Sequence, residues 1–94
     1  MIITAYCACC LCCGPRAAGL TASGVRPVEG ITVAASRSIP LGTRIRLTVP
    51  GLWKARAFVV QDRLSRRYDN RLDIYFSRHS DAVKFGVKQG RMAH

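Results

Sequence analysis

The amino-acid sequence predicts a small domain built mostly of β-strands. Short apolar runs are separated by glycine or proline roughly every ten residues, which is typical of strands joined by turns. The segment Arg44–Val49 alternates between aliphatic and polar or basic side chains, as a half-buried strand does. The chain has 94 residues, which predicts a single domain over residues 1–94 with a modest core.

Five strands are predicted, and the third and fifth carry the clearest patterns. Pro50-Gly51 ends the third strand, as a turn does. In the fifth strand, Asp73 stands between Leu72 and Ile74, although strand propensity disfavours an acid there. If the aliphatic neighbours face the core, Asp73 faces outward and serves either a salt bridge or a function. The predicted strands are Ile2–Tyr6, Ile31–Ala35, Thr43–Val49, Ala55–Gln61 and Arg71–Phe76.

One short helix is predicted after the fifth strand. Ser77 or Ser80 is a candidate N-cap, and Asp81 suits the first turn because it complements the helix dipole. The last segment, residues 87–94, is too polar to be assigned to an element. The expected apolar face and C-terminal cap of the helix are Ala82, Val83, Phe85 and Gly86.

The charge balance favours an anionic partner. The chain has 15 Lys and Arg against 5 Asp and Glu, a net charge of +10. Such an excess favours a partner such as nucleic acid, an anionic membrane or an anionic wall polymer. The alternative is a solvated basic surface without a specific partner. No apolar run is long enough to span a bilayer, so no transmembrane segment is expected. No secretory signal is recognised either, because Met1-Ile2-Ile3 leads directly into Thr4-Ala5-Tyr6.

All five cysteines lie close together near the N-terminus. Five is an odd number, so complete pairing within the chain is impossible, and adjacent cysteines fit disulfide geometry poorly. Three interpretations stay open: structural thiols or one local disulfide with leftover thiols, a structural zinc ion held by several thiolates, or a redox or catalytic use. The candidate metal ligands are Cys7, Cys9, Cys10, Cys12 and Cys13.

Two acids are candidates for catalysis. Asp62 ends the fourth predicted strand, and Asp73 follows eleven residues later in the fifth, so both carboxylates can line one cleft. Neighbouring carboxylates separate their pKa values, which leaves one protonated for glycosidic cleavage. Spacing alone favours the plainer alternative, salt bridges to nearby arginines. The loop Thr21-Ala22-Ser23-Gly24 is suited to a hydrogen bond to a sugar or to an Asp, or it is a plain turn.

The two histidines show no partner at catalytic or metal-ligand spacing. His79 and His94 are therefore expected at the surface or as helix caps.

Short motifs follow one another along nearly the whole chain in an informative order. They are Thr4-Ala5-Tyr6-Cys7, the cysteines up to Gly14, Thr21–Gly24, Ile39-Pro40-Leu41-Gly42-Thr43, Asp62 through Asn70-Arg71-Leu72-Asp73-Ile74-Tyr75-Phe76, and Ala82–Gly86. This order resembles the Asp-Asp-Asp, or three-D, domain. Its relatives include the membrane-bound lytic transglycosylase A family, the rare-lipoprotein-A-like transglycosylases and, more distantly, the expansins.

The resemblance implies a fold and an activity. The fold is a six-stranded double-psi β-barrel with one short C-terminal helix. The activity is cleavage of peptidoglycan glycan strands, as a lytic transglycosylase or a muramidase-type enzyme, with Asp73 as the acid/base and Asp62 as its supporting partner. No cofactor is then required for catalysis. The other candidate substrate-binding residues are Tyr6, Thr21, Ser23, Gly24, Arg71 and Tyr75.

The same resemblance sets the expected partners and location. The partner is the glycan strand, no nucleic acid is expected, and the protein is expected to be a monomer. It acts at the cell wall, in the periplasm or outside the cell, after delivery in a phage particle, release by lysis or cleavage from a longer chain. Ala34-Ala35-Ser36-Arg37 departs from the family, which carries a further Asp or a His in that motif. The alternatives are a non-catalytic, expansin-like polysaccharide-binding barrel and a small nucleic-acid-binding barrel.

Overall fold

The structure, a computed structural model, describes residues 1–7, 21–64 and 70–93. These residues form a mostly β fold, as predicted, with a helix near the C-terminus. The first five strands lie close to the five predicted segments, and only the fourth is clearly longer than predicted. The elements are β1 (Ile2–Tyr6), β2 (Thr32–Ala35), β3 (Arg44–Val49), β4 (Trp53–Arg63), β5 (Arg71–Tyr75), α1 (His79–Phe85), β6 (Lys88–Gln89) and β7 (Arg91–Ala93).

The strands form one sheet that curves into a nearly closed barrel. Its order is β6-β1-β5-β2-β4-β3-β7. β1 pairs in parallel with β5, and β2 pairs in parallel with β4, while the other neighbours are antiparallel. The edge strands β6 and β7 are separated in sequence only by Gly90, so the C-terminal segment links the two edges of the sheet.

The polar tail is where the predicted strand count was wrong. The described residues contain seven strands, whereas the sequence patterns predicted five and the resemblance implied six, and the two strands beyond the five are β6 and β7 of the tail. Backbone pairing with β1 and β3 needs no apolar side chains, and Met92 adds a partly buried contact to the core. Gly90 divides the two strands at a place without room for a side chain. A Cβ there would lie 2.5 Å from Ile3 Cδ1 and 2.8 Å from the Thr48 carbonyl oxygen.

The core lies inside the curved sheet. In β3 the predicted alternation is confirmed, since Ile45, Leu47 and Val49 are buried whereas Arg44 and Arg46 are exposed. The neighbouring strands contribute their own inward-facing aliphatic residues to the same cluster. Its members include Ile3, Val33, Ala35, Phe58, Val60, Leu72 and Ile74. The opposite face of these strands is therefore available for polar groups.

Helix α1 begins and packs differently from the sequence prediction. Its N-cap is Arg78, without a side-chain cap, and neither Ser77 nor Ser80 takes that role. Ser77 instead donates both its backbone N–H and its hydroxyl to Glu29 Oε1, at 2.8 and 3.1 Å. Val83 is 63% exposed, so the buried face consists of Ala82 and Phe85 only.

Two other predictions for this part of the chain are confirmed. Asp81 lies in the first turn of α1, and Gly86 is the C-cap with φ 66°, a conformation that glycine adopts without strain. Phe85 anchors the helix by stacking on Trp53, with ring centroids 5.7 Å apart. No helix within the described ranges has the length and apolar character needed to cross a membrane.

Candidate functional site

Four strands bring the two predicted acids into one row of the sheet. Thr4 on β1 lies opposite Asp73 on β5, Asp73 lies opposite Ala34 on β2, and Ala34 lies opposite Asp62 on β4. Residues that lie opposite one another on adjacent strands point to the same face. The row Thr4–Asp73–Ala34–Asp62 therefore occupies the face turned away from the core.

A β-bulge between β2 and β4 gives Asp62 its place in this row. Strict alternation after the buried residues Phe58 and Val60 would turn Asp62 into the core. The register shifts between Val33 and Ala34, so Asp62 rather than Gln61 lies opposite Ala34. Bulges re-aim side chains in this way near functional sites. The sequence gives no signal for this shift.

Asp73 is partly buried and held by a neighbouring hydroxyl group. Thr4, which is 5% exposed, donates from Oγ1 to Asp73 Oδ1 at 2.5 Å. Arg71 in turn donates from Nε to Thr4 Oγ1 at 3.1 Å. Burial raises the pKa of Asp73 above its ordinary value, and the nearby charge of Asp62 acts in the same direction, while Thr4 and Arg71 oppose the shift. The carboxyl group therefore keeps its proton to a higher pH than an ordinary aspartic acid.

Asp62 accepts hydrogen bonds at both carboxylate oxygens. The Tyr6 hydroxyl donates to Oδ2 at 3.2 Å. The backbone N–H groups of Ala22 and Arg63 donate to Oδ1 at 3.0 and 2.9 Å. These donors come from three separate parts of the chain, so the orientation of Asp62 depends on the assembled fold. No salt bridge is needed to explain its position.

The loop at residues 21–24 is docked beside Asp62, but through its backbone. Ala22 N–H bonds to the acid, and Ser23 N–H donates to the Gln61 carbonyl oxygen at 3.1 Å. The Thr21 and Ser23 hydroxyls lie 2.8 Å apart and bond each other. Gly24 completes the turn with φ 83°. The loop thus holds the predicted acid, with its hydroxyl groups paired beside it.

Asp73 opens into a groove of about 410 Å³ with two unlike walls. One wall is polar and comes from β1 and β5, and the other is largely apolar and comes from α1 and the residues after it. Asp62 and the loop at residues 21–24 lie outside the lining of this groove. The lining residues are Thr4, Ala5, Tyr6, Arg71, Asp73, His79, Ala82, Val83, Gly86 and Val87.

The predicted substrate-binding residues are therefore divided between the Asp73 groove and the surroundings of Asp62. Tyr6 and Arg71 line the groove with Asp73. Tyr75 does not line it, but its ring packs edge-on against Tyr6, with centroids 5.6 Å apart and planes at 67°. Tyr6 connects the two places, because it lines the groove and its hydroxyl reaches Asp62.

His79, which was expected at the surface or as a helix cap, is the first residue of α1. It is half-buried, lines the groove, and its Nδ1 lies 3.4 Å from the sulfur of Cys7, which is 1% exposed. The two residues are 72 positions apart, so local sequence offered no signal for this contact. Of the five predicted metal ligands, Cys9, Cys10, Cys12 and Cys13 lie outside the described residues. Within residues 1–7, 21–64 and 70–93, no three His, Cys, Asp or Glu side chains are placed to hold one metal ion.

The hydrogen bond between Thr4 and Asp73 predicts the effect of Thr4→Val. Valine keeps the shape of the side chain but cannot donate, so the pKa of Asp73 should rise further. A ¹³C NMR titration of the Asp73 carboxyl group measures this directly. Thr43→Val is the control, since the Thr43 hydroxyl bonds to the Pro40 carbonyl oxygen in an exposed turn, away from Asp73. An Asp73 titration that is the same in both variants would contradict the assigned contact.

Comparison with known proteins adds no assignment. Neither a protein-family model nor a curated protein sequence matches the chain. What the protein does is therefore inferred from the geometry of the site and from the order of its motifs.

Proposed function

We propose that this protein cleaves the glycan strands of peptidoglycan as a lytic transglycosylase, with Asp73 as its general acid/base. The observation that carries the proposal is the position of Asp73, which faces a groove while burial raises its pKa and Thr4 holds one oxygen. A carboxyl group that is protonated near the working pH is what a leaving glycosidic oxygen requires. The motif order that resembles the three-D domain supports the same activity.

The proposed reaction needs one acid/base group and no external nucleophile. Protonated Asp73 donates its proton to the glycosidic oxygen as the bond to the muramic acid C1 breaks. The resulting Asp73 carboxylate then takes the proton of the C6 hydroxyl, whose oxygen bonds to C1 and closes the anhydro ring. Asp73 ends the cycle protonated, as it began. No metal ion or cofactor is required for these steps.

Asp62 would act as the electrostatic partner. It lies two strands away from Asp73, which corresponds to roughly 10 Å between backbones. Its orientation by Tyr6 and by two backbone N–H groups suits a fixed negative charge that acts from outside the groove on the positive charge that develops at C1. The two acids then have unequal roles, with proton transfer at Asp73 and charge stabilisation at Asp62.

The two walls of the groove suit an N-acetylated sugar. Arg71 and Tyr6 offer polar contacts beside the acid, while Val83 and Val87, 63% and 70% exposed, offer apolar surface to acetyl and lactyl methyl groups. The double-psi form of the barrel is part of the same proposal. Its support is the pairing of strands distant in sequence, β1 with β5 and β2 with β4, in parallel. Action at the cell wall follows from the substrate.

A second candidate is a barrel that binds glycan without cutting it, as expansins do. Ala34 favours it, because this residue stands between Asp73 and Asp62 in the row and supplies no acidic or imidazole group. The two candidates share the groove and differ only in turnover.

Mass spectrometry of purified sacculi after incubation with the protein separates these candidates. Lytic transglycosylation releases anhydro-muropeptides, which are one water lighter than the products of hydrolysis. Binding to sacculi without any released fragments would establish the non-catalytic barrel instead. Released products that carry the extra water would contradict the intramolecular step and indicate a muramidase.

A further inference from the structure

Two long segments of this chain carry basic residues and no acids. Residues 30–61 and 82–94 contain no Asp or Glu, so the five acids lie at Glu29, Asp62, Asp69, Asp73 and Asp81. The two acid-free segments meet in the fold, because β3 belongs to the first, β7 belongs to the second, and the two strands pair. The pairing therefore creates a surface with positive charge and no carboxylate on either strand.

Four exposed cations lie on this surface, which we call the basic stripe. Arg44 and Arg46 alternate with buried residues on β3, so both point outward, about 7 Å apart along the strand. Arg91 on β7 lies opposite Thr48, which continues the same outward row. Lys54 lies near this row, since Lys54, Arg91 and Thr48 line the same groove of about 360 Å³. The basic stripe is thus Arg44, Arg46, Lys54 and Arg91.

We propose that the basic stripe binds a linear polymer of phosphodiester-linked polyols. A row of exposed cations without acids suits a chain of regularly repeated single negative charges, and Arg and Lys are the side chains that recognise phosphate. The strand geometry is extended, so an extended polyanion can contact successive cations without bending. The choice of an anionic wall polymer as its source rests on the proposed function.

The stripe offers little to the bases of a nucleic acid. Single-stranded nucleic acids are held by aromatic side chains that stack on bases as well as by cations. Trp53 is the sole aromatic residue in Arg44–Lys54 and Arg91–Ala93, and its ring already stacks on Phe85 and lies 4.6 Å from the Arg56 guanidinium carbon. The observations therefore favour a polyanion that carries no bases.

Titration of the protein with purified poly(glycerol phosphate) tests this proposal. For a single-stranded polyanion, the logarithm of the binding constant falls with the logarithm of the salt concentration with a slope of about 0.7 per phosphate contact. If each of the four cations contacts one phosphate, raising the salt from 0.05 M to 0.2 M should therefore weaken wild-type binding by about 50-fold. The double substitution R44Q/R46Q leaves two contacts and should reduce that loss to about sevenfold. Its binding at low salt should be weaker than that of the wild type.

A matched control separates the stripe from overall charge. R26Q/R78Q removes the same two charges from exposed positions outside β3 and β7 and should keep the wild-type salt dependence. Equal weakening by both double variants, or no binding by the wild type, would overturn the proposal. Tighter binding to an oligothymidylate of equal charge would overturn it in favour of nucleic acid. Binding is measured without turnover, so a chain that binds the polymer but releases no muropeptides contradicts the proposed activity alone.

Discussion

Replacement of Asp73 by asparagine should abolish the proposed glycan cleavage while leaving the fold intact. Asparagine has nearly the same shape and can still accept the Thr4 hydrogen bond, but it can neither donate an acidic proton nor take one back. Loss of general acid/base catalysis lowers rates by about 10²- to 10⁴-fold. The release of anhydro-muropeptides from sacculi, followed over time, measures this loss.

The same substitution should stabilise the protein near neutral pH. Burial raises the folded-state pKa of Asp73 above 3.8, so the ionised carboxylate is disfavoured in the folded state. The stability that the protonated acid provides is complete below its unfolded pKa and is lost as the pH rises through the folded value. D73N cannot ionise, so it does not lose this stability, and its melting temperature should equal or exceed that of the wild type at pH 7. The difference in melting temperature between D73N and the wild type should shrink as the pH is lowered.

Asp81→Asn provides the control for both measurements. It makes the same chemical change in the first turn of α1, outside the lining of the Asp73 groove. This variant should keep wild-type activity and lose a little stability, because asparagine no longer complements the helix dipole. Wild-type turnover by D73N would remove Asp73 from the mechanism, and a lower melting temperature of D73N at pH 7 would contradict its assigned environment.

Replacement of Gly90 by alanine should strongly destabilise the protein. The added methyl group would lie 2.5 Å from Ile3 Cδ1 and 2.8 Å from the Thr48 carbonyl oxygen, so β1 or β3 must move where β6 and β7 join the two edges of the sheet. Overpacking of this kind costs about 1–3 kcal/mol. For a domain of this size the melting temperature should fall by roughly 5–20 °C, measured by circular dichroism.

Gly51→Ala distinguishes crowding from backbone strain. Gly51 has φ 80°, but a Cβ there meets no atom within 4 Å, so its substitution costs only the strain of that conformation, about 1 kcal/mol. G90A should therefore be less stable than G51A. If G90A melts at or above the temperature of G51A, Gly90 does not lie in the crowded position that its contacts with Ile3 and Thr48 indicate.

Local sequence patterns predicted most of the strands because each pattern records which face of a strand is buried. The alternation of Arg44–Val49 defined β3, and the outward position of Asp73 followed from Leu72 and Ile74 on either side of it. The tail was the exception. Its strands β6 and β7 are held by backbone pairing to β1 and β3, which leaves no periodic trace in their side chains.

The site itself required the tertiary structure. The contact between Cys7 and His79 spans 72 residues, and the bond from Thr4 to Asp73 spans 69, so no spacing rule anticipates either. The helix prediction failed at Ser77 for a similar reason, because a distant acid, Glu29, binds the hydroxyl that was expected to cap α1. Long-range partners decided these side-chain roles.

The acidic pair illustrates the division most clearly. The sequence by itself determined that Asp73 faces away from the core, since a strand with aliphatic neighbours on both sides of one acid has only one such arrangement. Only the tertiary structure decided where Asp62 points, because the bulge that turns it out of the core depends on how β4 pairs with β2, whose Ala34 precedes Asp62 by 28 residues. Alternation along one strand is a local property, whereas the register between two strands is set by the packing of the whole sheet.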